Sequence, residues 1–207
     1  MYSPDAFAET DRAEIDRLIE AARLGLLITH GSNGLFATHL PFLYDASSKT
    51  LTGHIARANP QPTMAGDGEA LVVLSGPDAY VSPRWYVSSA RDGRHVPTWN
   101  YEAVHVYGRL TWFEGREPLL SVVRALTERH EAHIAPPWSV DEADTGYVDR
   151  LLGAIVGLRI EIVRIEAKRK LSQNRPAEDR TAVIAALEAS DNPRDHEIAA
   201  RMRRLAK

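Results

Sequence analysis

The 207-residue sequence contains no cysteine, which excludes disulfides, thiolate metal sites, cysteine nucleophiles and thiol redox chemistry. No stretch approaches the roughly 18 apolar residues that a membrane span requires. The opening "MYSPDAFAETD" has neither the basic nor the apolar region of an export signal. A cytoplasmic protein with no membrane partner is therefore expected. Neither sign of charge dominates: 25 Lys and Arg against 28 Asp and Glu leave a net charge of -3. The chain as a whole gives a polyanion no attraction, so any nucleic-acid contact must be local. Also absent are GxGxxG, a Walker sequence and a GxSxG elbow. "RHEAH" at 129–133 separates His130 and His133 by three residues, whereas HExxH needs four to aim both imidazoles at one zinc. These histidines are read as an exposed helix end. No metal site and no catalytic set is assigned.

What is present is a chain of 44% hydrophobic residues, enough for a single globular domain with a short helical appendage. Asp11 and Glu14 form a capping box ahead of Ile15, Leu18, Ile19 and Ala22, predicting a helix over 11–24. From Leu26 to Trp112 short apolar runs alternate with turn signals and no helix intervenes, which predicts an antiparallel sheet or barrel. "ALVVL" lacks polar alternation and is expected to be covered on both faces. In "VHVYGRLTW" Val104, Val106, Leu110 and Trp112 share a core face, while His105, Tyr107, Arg109 and Thr111 share the other. A helix over 117–132 follows, then "SVDE" as a capping box before "YVDRLLGAIVG". The strand "LRIEIVRIEA" switches its apolar parity near Ile162, which predicts a bulge or sheet corner. Two amphipathic helices, near 177–189 and 193–205, close the chain, the second capped by Asn192 and Pro193.

Three stretches carry polar groups suited to a ligand. "GHIARANPQ" puts His54, Arg57, Asn59 and Gln61 at a strand end, where they either grip a phosphate or ribityl chain or build a solvated turn. "KRKLSQN" offers Lys168, Arg169, Lys170, Ser172, Gln173 and Asn174, either to a phosphate and pyrimidine edge or to solvent as a basic linker. "PTWNY" sets Trp99 and Tyr101 beside Asn100, flat surfaces with an edge-recognising amide; "SPRWY" adds Arg84, Trp85 and Tyr86. The same residue types suit a dimer interface.

The order "GHIARANPQ", "SGPDAYVSPRWY", "VPTWNYEAVHVYG" and "KLSQN", with the N-terminal helix, resembles the PaiB-type family of FMN-binding negative transcriptional regulators. The resemblance implies a mainly β fold with flanking helices (α+β): an antiparallel split β-barrel of the FMN-binding type, related to pyridoxine phosphate oxidase, over 1–174. A C-terminal helical pair over 175–207 would pack on the same domain. It implies a homodimer with FMN at the subunit boundary, held by His54, Arg57, Asn59, Trp99, Asn100, Lys170, Ser172 and Gln173. It also implies gene repression, with DNA contact either direct or indirect. The only HTH-like feature is the terminal helix pair, whose second member carries Arg194, Arg201, Arg203, Arg204 and Lys207, either to reach a DNA backbone or to form a solvated face capping the barrel. The alternative is a flavin-dependent reductase or oxidase of a small molecule, for which no triad need be visible because the cofactor carries the redox step. A third reading puts haem in the pocket, although spacing singles out no histidine.

Overall fold

The computed structural model describes residues 1–31 and 33–205, with the backbone alone at Asp92. Its elements run β1 (Ala8–Glu9), α1 (Arg12–Ala21), β2 (Gly25–Gly31), β3 (Gly34–Leu40), β4 (Leu43–Asp45), β5 (Thr50–Ala56), α2 (Gln61–Ala65), β6 (Gly68–Val81), α3 (Ser89–Asp92), β7 (Thr98–Phe113), α4 (Arg116–Glu131), α5 (Thr145–Gly153), β8 (Ile155–Lys170), α6 (Ala177–Glu188) and α7 (Pro193–Leu205). The strands form one sheet of order β3-β2-β6-β7-β8-β5-β4, with β1 paired to β8. The registered pairs are antiparallel; short turns join β2 to β3 and β4 to β5, whereas β2–β6 and β5–β8 pair segments distant in the chain.

The chain divides into two compact units. One comprises Met1–Ala21, Ser75–Val104 and Glu166–Lys207; the other comprises Ala22–Leu74 and His105–Ile165. The first unit holds α6 and α7, whose Val183, Ile184, Leu187, Ile198 and Met202 bury against Ala79, Val81, Tyr86 and Leu171. In the second unit Leu119, Leu120, Val140 and Leu152 form a cluster that joins α4 to α5.

Several sequence expectations are refined. The "SVDE" box is formed, but on a 3-10 turn at Val140–Glu142; α5 starts later, with Asp144 accepting the Tyr147 N–H at 2.8 Å. The segment "AIVG" leaves that helix and opens β8. "ALVVL" buries Ala70, Val72 and Leu74 while Leu71 and Val73 stay half-buried, so only one of its faces is fully covered. β7 starts at Thr98, earlier than the hydrophobic pattern marks, because its first inward positions are Asn100 and Glu102. In β8 Val156, Leu158 and Ile160 are buried and Val163 and Arg164 are exposed, after which Ala167, Lys168 and Arg169 are all buried, so the first parity ends near Ile162 without a clean switch to the other.

Candidate functional site

The eight residues singled out by sequence fall into two groups. His54, Arg57 and Asn59 lie in the second unit; Trp99, Asn100, Lys170, Ser172 and Gln173 lie in the first.

In the second unit the turn after β5 is built by its own polar side chains. Arg57 donates from Nε to the Gly153 carbonyl (2.8 Å), from Nη2 to the Ile155 carbonyl (3.1 Å) and from Nη1 to Glu114 Oε1 (2.7 Å). It thereby fastens the end of α5 and the start of β8, and its charge is balanced. Asn59 donates to Thr38 Oγ1 (3.0 Å) and accepts the Gln61 N–H (2.9 Å), which opens α2. Gln61 is fully buried and donates to Thr29 Oγ1 at 3.0 Å. His54 is half-buried, its Nδ1 has no hydrogen-bond partner, and burial pushes its pKa below the ordinary imidazole range. A base whose folded pKa is depressed leaves the unfolded chain the better proton acceptor, so this contribution to stability is complete above pH ~6.5 and is lost as pH falls through the folded pKa. Denaturant titrations at pH 7.5 and 5.5 should show a smaller pH-dependent loss in His54→Gln than in the parent. An equal loss in both would place the proton elsewhere.

In the first unit, strand alternation separates two residues that are adjacent in sequence. Trp99 points outward and is 53% exposed, with its ring edge-on to Tyr80 at 5.9 Å; Asn100 points inward and is 0% exposed. Asn100 Nδ2 donates to Ser172 Oγ (3.0 Å), and the Ser172 hydroxyl lies 3.1 Å from Asn100 Oδ1. Ser172 itself has φ 62, a left-handed conformation that this pairing helps to hold. Gln173 accepts the Leu171 N–H (2.7 Å) and donates to the Arg169 carbonyl (2.5 Å), closing the same turn. The turn leaves Lys170 half-buried, where Nζ donates to Thr98 Oγ1 (2.5 Å) and to the Trp99 carbonyl (2.6 Å).

The electrostatics of this turn are unbalanced. Lys168 donates to the Tyr2 carbonyl (3.1 Å), and its Nζ lies 5.2 Å from the Tyr101 ring centroid; Arg175 Cζ lies 4.9 Å from that of Tyr86. Among the described residues none of Lys168, Lys170 and Arg175 pairs with a carboxylate; their partners are carbonyls, a hydroxyl and aromatic faces. Burial, then the charges of Lys168 and Arg175, hold the Lys170 pKa below the ordinary lysine range. An anion beside Lys170 would relieve that repulsion. Arg175 and Tyr86 escape a sequence reading as partners of this turn, although the basic run "KRKLSQNR" does extend to Arg175.

The basic face of α7 is, by contrast, largely neutralised. Arg194 pairs with Asp78 (3.2 Å), Arg201 with Glu102 (3.4 Å) and Arg203 with Glu188 (2.6 Å). Lys207 lies outside the described residues. No helix among the described residues is long and apolar enough to cross a membrane.

The chain is 34% identical to the "Protease synthase and sporulation protein PAI 2" of Bacillus subtilis over 202 residues, 96% of this chain and 95% of that protein. Among solved structures it is similar to the FAD and heme binding protein from Mycobacterium smegmatis (TM-score 0.61, 17% identity, 84% of this chain and 78% of that one). A conserved hypothetical protein from Mycobacterium tuberculosis is comparably close (TM-score 0.60, 17% identity, 85% and 94%). These two show the fold, the antiparallel split-barrel type expected above. Residues 1–164 match the family model described as "Putative FMN-binding domain". With most of its length matched, and with a curated relative aligned nearly end to end, the chain belongs to that FMN-binding domain family.

Proposed function

We propose that this protein is a PaiB-like FMN-binding homodimer that acts as a negative transcriptional regulator, with gene control exerted indirectly. The observation that carries the reading is the uncompensated cluster of Lys168, Lys170 and Arg175 beside the exposed Trp99 indole. The FMN phosphate is a compact dianion and the isoalloxazine a flat ring, and this patch has both complements: cations whose partners are otherwise neutral, and indole and phenol faces. The residues present therefore fit the group. Lys170 would hold the phosphate, with Lys168 and Arg175 adding charge, and Trp99 would shield one face of the ring. Asn100, Ser172 and Gln173 hold the turn that positions Lys170. His54, Arg57 and Asn59 form the separate patch against which this assignment is tested. Bound flavin would supply a two-electron acceptor.

The homodimer reading rests on the apolar ground around the same patch, where Trp99, Tyr80 and Val96 are exposed. A second subunit would cover it, and sedimentation should find a dimer at micromolar concentration. The indirect mode is supported by α7, where Arg194, Arg201 and Arg203 have carboxylate partners, which leaves Arg204 alone of its four arginines without one among the described residues and gives a phosphate backbone little net charge. The name of the Bacillus subtilis relative supports a role in sporulation and protease production.

FMN titration followed by flavin fluorescence tests the site. Lys170→Ala should weaken binding by about 1.5 to 3 kcal/mol, the value of a charge-assisted contact. Arg57→Ala should bind as the parent does, since its donors are spent within the chain. Parent-like binding by Lys170→Ala would end the assignment, and flavin-dependent NADPH consumption would favour the oxidoreductase reading instead.

A further inference from the structure

Residues 82–97 join β6 to β7 with no more regular structure than a 3-10 turn at Pro83–Trp85 and the short α3. A connection of that length needs an anchor, and it has one in Asp179, in the first turn of α6. Asp179 is 0% exposed and accepts the Ser88 N–H at 2.9 Å and the Ser88 hydroxyl at 2.5 Å. Because Ser88 gives its only hydroxyl hydrogen to Asp179, its Oγ accepts from His95 Nε2, 3.0 Å away. Burial works to raise the Asp179 pKa, but the Ser88 donors hold it below the ordinary aspartate range, so the anchor is a buried charge satisfied by the loop. Arg91 and Glu178 form a second link at 2.9 and 3.2 Å, but both side chains are exposed and such a pair contributes little.

What the anchor fixes in place is Tyr86, two positions before Ser88. Its side chain is 3% exposed and belongs to the cluster of Val183, Leu187 and Ile198; its ring centroid lies 4.9 Å from that of His95 and 4.9 Å from Arg175 Cζ. Among the described residues the Tyr86 hydroxyl has no hydrogen-bond partner, so the ring carries the contacts. Arg175 is tied by its backbone to the basic turn, its N–H donating to the Ser172 carbonyl at 2.9 Å, and its charge reaches Lys170. All of these residues lie in the first unit. A loose arginine side chain loses rotamer freedom when it closes on an anion; a guanidinium already held against an aromatic ring loses less.

We propose that Asp179 and Tyr86 are positioning residues for the phosphate end of the flavin site: Asp179 anchors the loop through Ser88, the loop seats Tyr86, and the Tyr86 ring holds the Arg175 guanidinium beside Lys170. This role rests on the flavin reading of the Lys168, Lys170 and Arg175 cluster. Asp179, an anion itself, acts on the phosphate only through Arg175.

Two measurements on the full chain test it: phenylglyoxal modification of Arg175, read by mass spectrometry of the digested protein, and titration with FMN and with riboflavin, read by flavin fluorescence. Ser88→Ala and Tyr86→Leu should each raise the rate of Arg175 modification about threefold or more, the size of a lost cation–π contact. The same variants should weaken FMN by a similar factor and leave riboflavin, which has no phosphate, at the parent affinity. Tyr86→Phe keeps the ring and should restore what Tyr86→Leu loses. In an Arg175→Ala background Ser88→Ala should cost FMN nothing further, because both act through one guanidinium. Ser88→Ala, which removes a single oxygen atom, carries the test should Tyr86→Leu fail to fold. Parent-like Arg175 reactivity in both variants, no rescue by Tyr86→Phe, a further loss in the Arg175→Ala background, or equal losses of FMN and riboflavin would overturn the proposal. A parent chain that binds no FMN would end the flavin reading, and the Arg175 rates would still decide whether Asp179 and Tyr86 hold that side chain.

Discussion

Arg169→Ala should destabilise the protein by about 3 to 5 kcal/mol, the cost of removing one partner from a buried ion network. Arg169 is 7% exposed and donates from Nε to Glu102 Oε1 (2.8 Å); its Nη1 lies 2.9 Å from Glu14 and 3.2 Å from Glu9. Glu102, itself 2% exposed, is further paired with Arg201 at 3.4 Å. One guanidinium thus ties β1, α1 and β7 to β8, and Arg201 extends the network to α7. Truncation would leave the buried Glu102 with Arg201 alone and take a cation from Glu9 and Glu14, of which, among the described residues, only Glu14 keeps another, Arg17. Denaturant unfolding should show the loss as a lower midpoint at unchanged slope. The double variant Arg169→Met with Glu102→Leu should recover part of it, because an apolar pair avoids burying an unpaired charge. Single and double variants of equal stability would mean that the network contributes packing and not charge.

Gly108→Ala should be comparably severe, about 3 kcal/mol or more, at the high end for overpacking. A Cβ there would lie 2.3 Å from the Glu161 carbonyl oxygen and 2.6 Å from the Ile160 side chain. A flexible side chain could swing aside, but the Glu161 carbonyl belongs to the backbone of β8 and moves only if the strand moves. Loss of soluble protein, or a melting temperature many degrees lower, is the expected outcome. Gly68→Ala is the control, since nothing lies within 4 Å of its added Cβ; it should stay within about 0.5 kcal/mol of the parent. Equal melting temperatures for the two variants would show that β7 and β8 separate here without penalty.

Much of the fold was legible because hydrophobic periodicity reports which face of an element meets the core. Val104, Val106 and Leu110 announced the inward face of β7, and α6 and α7 fall where their capping and periodicity put them. The reading thinned where core positions are polar. Asn100 and Glu102 continue the inward parity of β7 for two more steps, yet a pattern search takes them for surface. Their burial is tolerable only because Ser172, Arg169 and Arg201 arrive from distant segments to satisfy them.

The candidate site divides in the same way. Composition and the motif order settled the family, the absence of thiol chemistry and the basic character of the "KRKLSQN" turn. Those are properties of residue type and spacing, which need no third dimension. Whether a given polar residue faces a ligand or another part of its own chain was decided only by the fold. Trp99 and Asn100 part because strand neighbours point to opposite faces, and Arg57 is absorbed by carbonyls nearly a hundred positions away. Lys170, Lys168 and Arg175 keep their charge uncompensated because the turn that gathers them brings carbonyls and rings, not carboxylates, within reach. Side-chain chemistry is written in the sequence, but its availability depends on which partners long-range contacts supply, and a local pattern carries no record of those.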